Sequence, residues 1–352
     1  MFKKFTNGCV RVVNRWLPDA FLFAIILTLV VFVGAMCATG MGPIEIIAKW
    51  GDQKGGFWNL LAFSMQMALV LVFGSAMASA KPCKKALRTV AGLCHNEKQA
   101  ILVTTFVSTL CCWLNWGFGL VIGALLAKEV VRRVPTVDYP LLIASAYSGF
   151  VIWHAGLSGS IPLTISGGYT IGDVTYQAGT NQTIFHPMNL IMVGAILVVM
   201  PFLNYTMHPD KDHTICVDPA LLEDESEKSY EIKSPADKLE HSRILWVITL
   251  VMGFIYIIYY FVQTIQGGDN VFSALNLNIV NMIFMFLGIL LHGDLRRYVD
   301  AIADAAGGRI DDAPQPQIVR RIVDERKVGQ HILDLGAVKE FHAADDLIRD
   351  AV

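Results

Sequence analysis

The chain has 352 residues, 54% hydrophobic and only 16% charged, with a formal net charge of −2. Soluble domains carry about 25% charged residues, so this composition, with a mean hydropathy of +0.49, belongs to an integral membrane protein. The near-neutral balance excludes a large basic field for nucleic acid. The seven cysteines form no Cys-x-x-Cys pair, which favours small apolar fillers over a metal or disulfide framework.

Lys3, Lys4, Arg11 and Arg15 precede an apolar run at 20–44. The run is too long for a signal-peptide core and reads as an uncleaved first span. Further uncharged runs follow at 55–80, 99–127, 139–172, 174–207, 244–268 and 271–292. The Lys/Arg bias of short loops orients them. The basic N-terminus faces the cytoplasm, span 20–44 exits and span 55–80 returns. Loop 81–98, with Lys81, Lys84, Lys85, Arg88 and Lys98, is then cytoplasmic. A single crossing by 99–127 would place Lys128, Arg132 and Arg133 outside, against the bias. A re-entrant hairpin over 99–133, turning at Asn115-Trp116-Gly117-Phe118-Gly119, removes the conflict, since Asn and Gly are turn residues.

The run from 139 to 172 contains no Asp, Glu, Lys or Arg, yet Gly156-Leu157-Ser158-Gly159-Ser160-Ile161-Pro162 interrupts it. Gly costs a helix interior about 1 kcal/mol and Pro about 3. Broken backbone at membrane depth survives only where protein buries it or it lines a cavity. Segment 139–168 therefore reads as a broken span, loop 169–186 as external, and 187–207 as the returning span. Residues 208–243 form a cytoplasmic loop. Spans 244–266 and 271–292 pair across Gln266–Asn270.

Two spans, a hairpin, a broken span and a closing span (1–207) make one half of an inverted-repeat transporter. Residues 244–305 add a linker span and the first span of a second repeat. From 306 to 352 the sequence turns charged, with Asp311-Asp312, Arg320-Arg321 and Asp324-Glu325-Arg326-Lys327, and no run there can cross a bilayer. The expected fold is an all-α polytopic membrane protein with an inverted-repeat, ion-transporter-like architecture. Its first repeat is complete, its second is truncated, and a charged soluble tail follows.

Several words in one order carry a family resemblance. They include Arg15-Trp16-Leu17-Pro18-Asp19, Phe57-Trp58-Asn59-Leu60-Leu61-Ala62-Phe63, Asn115-Trp116-Gly117-Phe118-Gly119-Leu120, Asp138-Tyr139-Pro140-Leu141-Leu142, Ser158-Gly159-Ser160 and Asn281-Met282-Ile283-Phe284-Met285. Over about residues 10–305 the chain resembles the AtoE-type short-chain fatty acid transporters of bacteria. The resemblance implies a multi-pass protein of the inner membrane with a cytoplasmic N-terminus. It implies a small monocarboxylate substrate such as acetoacetate or butyrate, and coupling to Na+ or H+. Members of that family continue with further spans and a second hairpin. The sequence after 306 departs from them, by a change of reading frame or an exchange of domain, and the chain alone is expected not to transport. The alternative is a non-transporting membrane protein with a cytosolic interaction tail.

The expected substrate site joins the hairpin turn to the break: Asn115, Gly117 and Gly119 from the first, and His154, Gly156, Ser158, Gly159 and Ser160 from the second. Helix ends present unpaired N–H groups and a partial positive charge, which suits a carboxylate where the spans hold no Arg or Lys. Thr164 and Ser166 offer further hydroxyls, and Trp116, Phe118 and Trp153 could line an apolar tail. Backbone carbonyls at the break could hold sodium. Packing is an equal explanation for Ser160 and Ser166 and the stronger one for Trp153 and Phe118. His154 is the only ionisable side chain in the broken span; a neutral, hydrogen-bonded role is at least as well supported as proton coupling. Gly156–Ser160 lacks the Gly-x-Ser-x-Gly spacing of hydrolases, so no enzyme is expected. No cofactor is implied, and a homodimer stays open.

Overall fold

The computed structural model describes residues 20–52, 56–171, 174–209, 234–268 and 270–307, with 212, 214–219, 222, 230 and 232 between them. The Arg15–Asp19 motif and the charged tail from 308 lie outside the described residues.

The chain divides into two units, one holding the described residues up to Ala62 and the other Phe63–Ala306. In the first, α1 (Ala20–Thr39) stops one turn earlier than the apolar run allows. Gly40 takes a left-handed φ of 69°, which costs glycine alone nothing. A separate helix, α2 (Pro43–Gly51), then starts with proline in its first turn. Trp50 stacks on Phe57 at 5.6 Å between ring centroids, beside a 3-10 turn at Phe57–Leu60.

The second unit is built around a helical hairpin. The helix α3 (Leu61–Ala78) leads within two residues into α4 (Lys81–Ala91), a helix where the sequence suggested only a loop. The hairpin arms are α5 (Glu97–Leu114) and α6 (Trp116–Arg133). They run antiparallel: a Cβ at Gly119 would meet Cys112, and one at Gly123 would meet Ser108. At their open end Thr136 donates to Glu97 at 2.7 Å. The broken span comprises α7 (Tyr139–Ser148), a 3-10 stretch at Gly149–Ala155, and α8 (Ser160–Ser166). The helical α8 narrows the expected break, because Ile161 and Pro162 lie inside its first turn. Proline lacks an N–H that the first turn leaves unbonded anyway.

After α8 comes a two-stranded antiparallel ribbon, β1 (Tyr169–Ile171) and β2 (Val174–Tyr176), with Tyr169 opposite Tyr176. The ribbon is a local addition to an all-α fold; its Tyr, Thr, Ile and Val residues favour strands, and Gly168 at φ +86° turns the chain into it. The next helices are α9 (Pro187–Thr206), α10 (Pro235–Glu240) and α11 (Arg243–Gln266). A 3-10 turn at Val271–Ala274 precedes α12 (Leu277–His292), so the expected span 271–292 supplies a regular helix of only 16 residues, capped by Asn276. The last, α13 (Leu295–Ala306), is a helix the sequence reading did not assign.

Five helical segments among the described residues are long and apolar enough to cross a membrane: Leu22–Thr39, Leu61–Ala78, Tyr139–Ser166, Pro187–Thr206 and Pro235–Gln266. The two hairpin arms are not among them. Between the apolar spans, amides and hydroxyls form the following bonds. Asn204 on α9 donates to Thr105 at 3.1 Å and Ser148 at 2.8 Å. Gln66 on α3 donates to Asn278 at 2.8 Å, and Asn281 returns a bond to the Gln66 carbonyl at 3.0 Å. Val70, Leu163, Ile184, Leu277 and Val280 close the core where α3, α8 and α12 meet.

Asp294 caps α13. Its carboxylate accepts from the backbone N–H of Arg296 and Arg297 and bonds His241 Nδ1 at 2.8 Å. Burial pushes its pKa up, but the bonds from His241 and from those two amides outweigh burial and hold it below the usual range. A carboxylate depressed on folding adds stability above its unfolded pKa, about 3.9; that stability is lost as pH falls through the folded value. Asp294→Ala should lower the melting temperature at neutral pH, through loss of a cap worth about 1 kcal/mol. Asp294→Asn should keep the cap and lose only the charge. Its deficit against the parent should shrink in acid, as followed by circular dichroism in detergent.

Candidate functional site

The hairpin reverses on one residue. Asn115 is extended (φ −154°, ψ 122°), closes α5 through its N–H to the Cys111 carbonyl and caps α6 through Oδ1, which accepts from Phe118 N–H at 2.9 Å. Its carbonyl accepts from Gly119 N–H at 2.8 Å. A short side-chain acceptor in extended backbone is what an N-cap requires, and a neutral amide meets it in an apolar setting at less cost than a carboxylate. Asn115 is fully buried, and its Nδ2 has no hydrogen-bond partner among the described residues.

The break docks on this tip. Ser158 Oγ accepts from Trp116 N–H at 2.9 Å, and Leu157 N–H donates to the Trp113 carbonyl at 2.7 Å. Each bond satisfies a helix-end group that would otherwise be orphaned. From the other side α3 presses in at Gly74 and Gly117: a Cβ on Gly74 would lie 2.5 Å from Phe118 N, and one on Gly117 would lie 2.7 Å from Leu71 Cα.

The geometry shows what each expected site residue touches. Gly117, Gly119 and Gly156 are buried at backbone-to-backbone contacts, where a Cβ would come 2.7 Å or closer to Leu71, Cys112 and Trp113 respectively. Gly159 sits in a tight turn, 3.0 Å from N–H to the Gly156 carbonyl. Ser158 is buried, and its oxygen is engaged by Trp116. Ser160 is buried at the start of α8. His154 departs from the group: it is exposed and stacks on Trp153 at 4.3 Å. The backbone donors expected to meet a carboxylate are largely consumed, since Trp116, Phe118 and Gly119 N–H all bond within the fold. Ser166 is likewise engaged, donating to the Leu275 carbonyl at 2.8 Å.

What remains is a set of side-chain donors. Besides Asn115 Nδ2, the buried indole N–H groups of Trp113, Trp116 and Trp153 and the Thr164 hydroxyl lack partners among the described residues. Trp116 lies 5.4 Å from Trp153 and 5.8 Å from Phe150, and Phe150 stacks on Trp153 at 4.9 Å. These rings form an aromatic wall beside the tip. Packing was the expected role of Trp153, and Phe150 joins the wall only in the structure; three tryptophans at the turn and the break are the sequence signal for it. No group of three or more His, Cys, Asp or Glu that could hold a metal occurs among the described residues.

A multi-pass helical membrane protein with a buried hairpin tip clasped by a broken helix is the class this arrangement defines. The family model for "Short chain fatty acid transporter" matches residues 1–311. A protein of Escherichia coli (strain K12), named "Putative short-chain fatty acid transporter", is 42% identical over 310 residues, covering 87% of this chain and 68% of its own length. One of the same name from Haemophilus influenzae (strain ATCC 51907 / DSM 11121 / KW20 / Rd) is 36% identical over 316 residues, with 87% and 68% covered. No solved structure matches the chain. The chain belongs to the short-chain fatty acid transporter family, a family of transporters and not of enzymes.

A methyl group at Gly156 would lie 2.4 Å from the Trp113 carbonyl oxygen. Gly156→Ala should therefore cost about 1–3 kcal/mol through overpacking. Gly194→Ala, in α9 with nothing within 4 Å, should be neutral or gain up to about 1 kcal/mol of helix propensity. Thermal unfolding of both variants in the same detergent checks the contrast.

Proposed function

We propose that this chain binds short-chain monocarboxylates, such as butyrate or acetoacetate, as the substrate-binding part of a carrier of the bacterial inner membrane. In this reading the hairpin tip forms one half of the substrate site. The supporting observation is the unpaired Asn115 Nδ2, wholly buried at the tip. A carboxylate oxygen is the acceptor that such a donor lacks, and an unmade bond on a buried polar group costs about 1–3 kcal/mol. The Trp116, Phe150 and Trp153 rings offer a face for an aliphatic tail of a few carbons.

The charge balance gives the energetics. No Asp, Glu, Lys or Arg lies between 99 and 127 or between 139 and 172. A carboxylate entering among neutral donors alone loses hydration that they replace only in part. A cation or proton entering with it cancels the charge, so cotransport with Na+ or H+ follows from the lack of a basic partner. Both ions stay open, and a sodium gradient against a pH gradient separates them. His154, exposed beside Trp153, has no role in this reading.

Asn115→Asp keeps the Oδ1 cap of α6 while replacing the Nδ2 donor with an acceptor. Tryptophan fluorescence of the purified chain should respond saturably to sodium butyrate, and less to a long-chain alkyl sulfonate. Asn115→Asp should weaken butyrate binding roughly 10–100-fold, the value of a hydrogen bond to a charged group, without changing the circular dichroism. An unchanged Kd in a folded variant removes Asn115 from the site.

The arms α5 and α6 are also proposed to enter and leave the membrane from the cytoplasm. Val131 is fully buried and unsuited to labelling, whereas Thr136 is exposed at the open end of the hairpin. In a background without reactive cysteines, Thr136→Cys should react with an impermeant maleimide in inverted vesicles and stay unlabelled in intact cells.

A further inference from the structure

Beyond transport, we infer that α4 and the open end of the hairpin form a binding surface for anionic phospholipid headgroups. The helix reads Lys81-Pro82-Cys83-Lys84-Lys85-Ala86-Leu87-Arg88-Thr89-Val90-Ala91. At 3.6 residues per turn its four basic residues fall within an arc of about 100°. Leu87 and Ala91 are buried, at 4% and 1% exposure, so the helix is seated on the protein. Lys81, Lys85 and Arg88 are exposed.

Position selects the ligand. The helix begins three residues after Ala78, the end of a bilayer-long apolar helix, and Ala80 between them is fully buried. The basic stripe is thereby fixed near the membrane surface, at headgroup depth. It packs against the last turns of α6, where Arg88 Nε bonds Glu129 at 3.4 Å. Lys98 and Arg133, both exposed, extend the positive surface from the two arms. Residues 81–133 hold eight Lys and Arg and two Glu. Glu129 is shared between Arg88 and Arg132, and Glu97 accepts from Thr136.

A basic helix lying along a membrane surface attracts anionic lipid, and the phosphodiester group of such a lipid is the ligand this surface fits. Its seat on α6 makes the lipid a brace for the base of the hairpin. The inference needs only that the protein is in a membrane, and stands whether or not Asn115 binds substrate.

The test is thermal unfolding of the full chain in neutral detergent with phosphatidylglycerol or phosphatidylcholine added at equal mole fraction. Phosphatidylglycerol should raise the melting temperature more. Its advantage should disappear near 1 M NaCl, where the Debye length is about 3 Å. Lys85→Gln should lose much of the advantage while melting like the parent in phosphatidylcholine, and Lys85→Arg should retain it. Should the glutamine variant fold poorly, native mass spectrometry of the parent decides, by retention of phosphatidylglycerol over phosphatidylcholine. Equal effects of the two lipids, an undiminished gain in the glutamine variant, or an equal gain from inorganic phosphate would each overturn the assignment.

Discussion

A chain that reverses direction deep in an apolar segment must satisfy the backbone groups that two helix ends leave bare, because no water reaches them. Here the solution is reciprocal. Asn115 serves as the last cap of one arm and the first cap of the next. The broken span supplies what Asn115 cannot, Ser158 taking the Trp116 N–H and Leu157 giving its own N–H to Trp113. The break is the partner that makes the turn affordable. Its glycines follow from this, since only a chain without side chains at Gly156 and Gly159 can come so close to the Trp113 and His154 carbonyls.

How much of this was legible in the sequence follows the same physics. Asn115 was readable because a polar amide in an uncharged run has few reasons to be there other than a turn. The break was readable from Gly, Ser and Pro. The roles of Gly117, Gly119 and Gly156 were not, because close packing and ligand approach leave the same residue in the sequence, and only the partner helix distinguishes them. The exposure of His154 was not legible because it lies in a 3-10 stretch, where each residue turns about 120° rather than 100°, and a few such steps change which face a side chain takes. The helix α4 was hidden by its charge, which reads equally as a loop or as an exposed helical face. Short apolar strands such as those of the ribbon cannot be told by periodicity from helix within a longer apolar run.

The contacts between spans show a related preference. Apolar burial gives little attraction between helices in lipid, so close packing and interhelical hydrogen bonds carry the specificity. The Asn204–Thr105–Ser148 triad ties α9 to both α5 and α7, and the Gln66, Asn278 and Asn281 amides tie α3 to α12. These neutral groups can break and re-form bonds at modest cost, whereas a buried ion pair that separates leaves uncompensated charge. A core that must keep its register in lipid yet permit rearrangement is well served by amides and hydroxyls.

If the tip is half of a substrate site, these bonds also constrain how the site opens. Separating hairpin from broken span would strip Trp116 N–H and the Trp113 carbonyl of their partners at membrane depth, a cost of several kcal/mol for each group left unsatisfied. An opening that moves both elements together leaves those bonds intact. The moving unit in this reading is therefore the clasped pair, α5 and α6 with the α7–α8 break, and the sliding boundary lies where fewer polar bonds cross. The contact of α8 with the segment before α12 is such a boundary: Ser166 to the Leu275 carbonyl is its polar bond, and the rest is apolar packing of Leu163 against Leu277 and Val280. Aliphatic surfaces of this kind lose little when they slide, since the lipid or protein that replaces each contact is as apolar as the one lost.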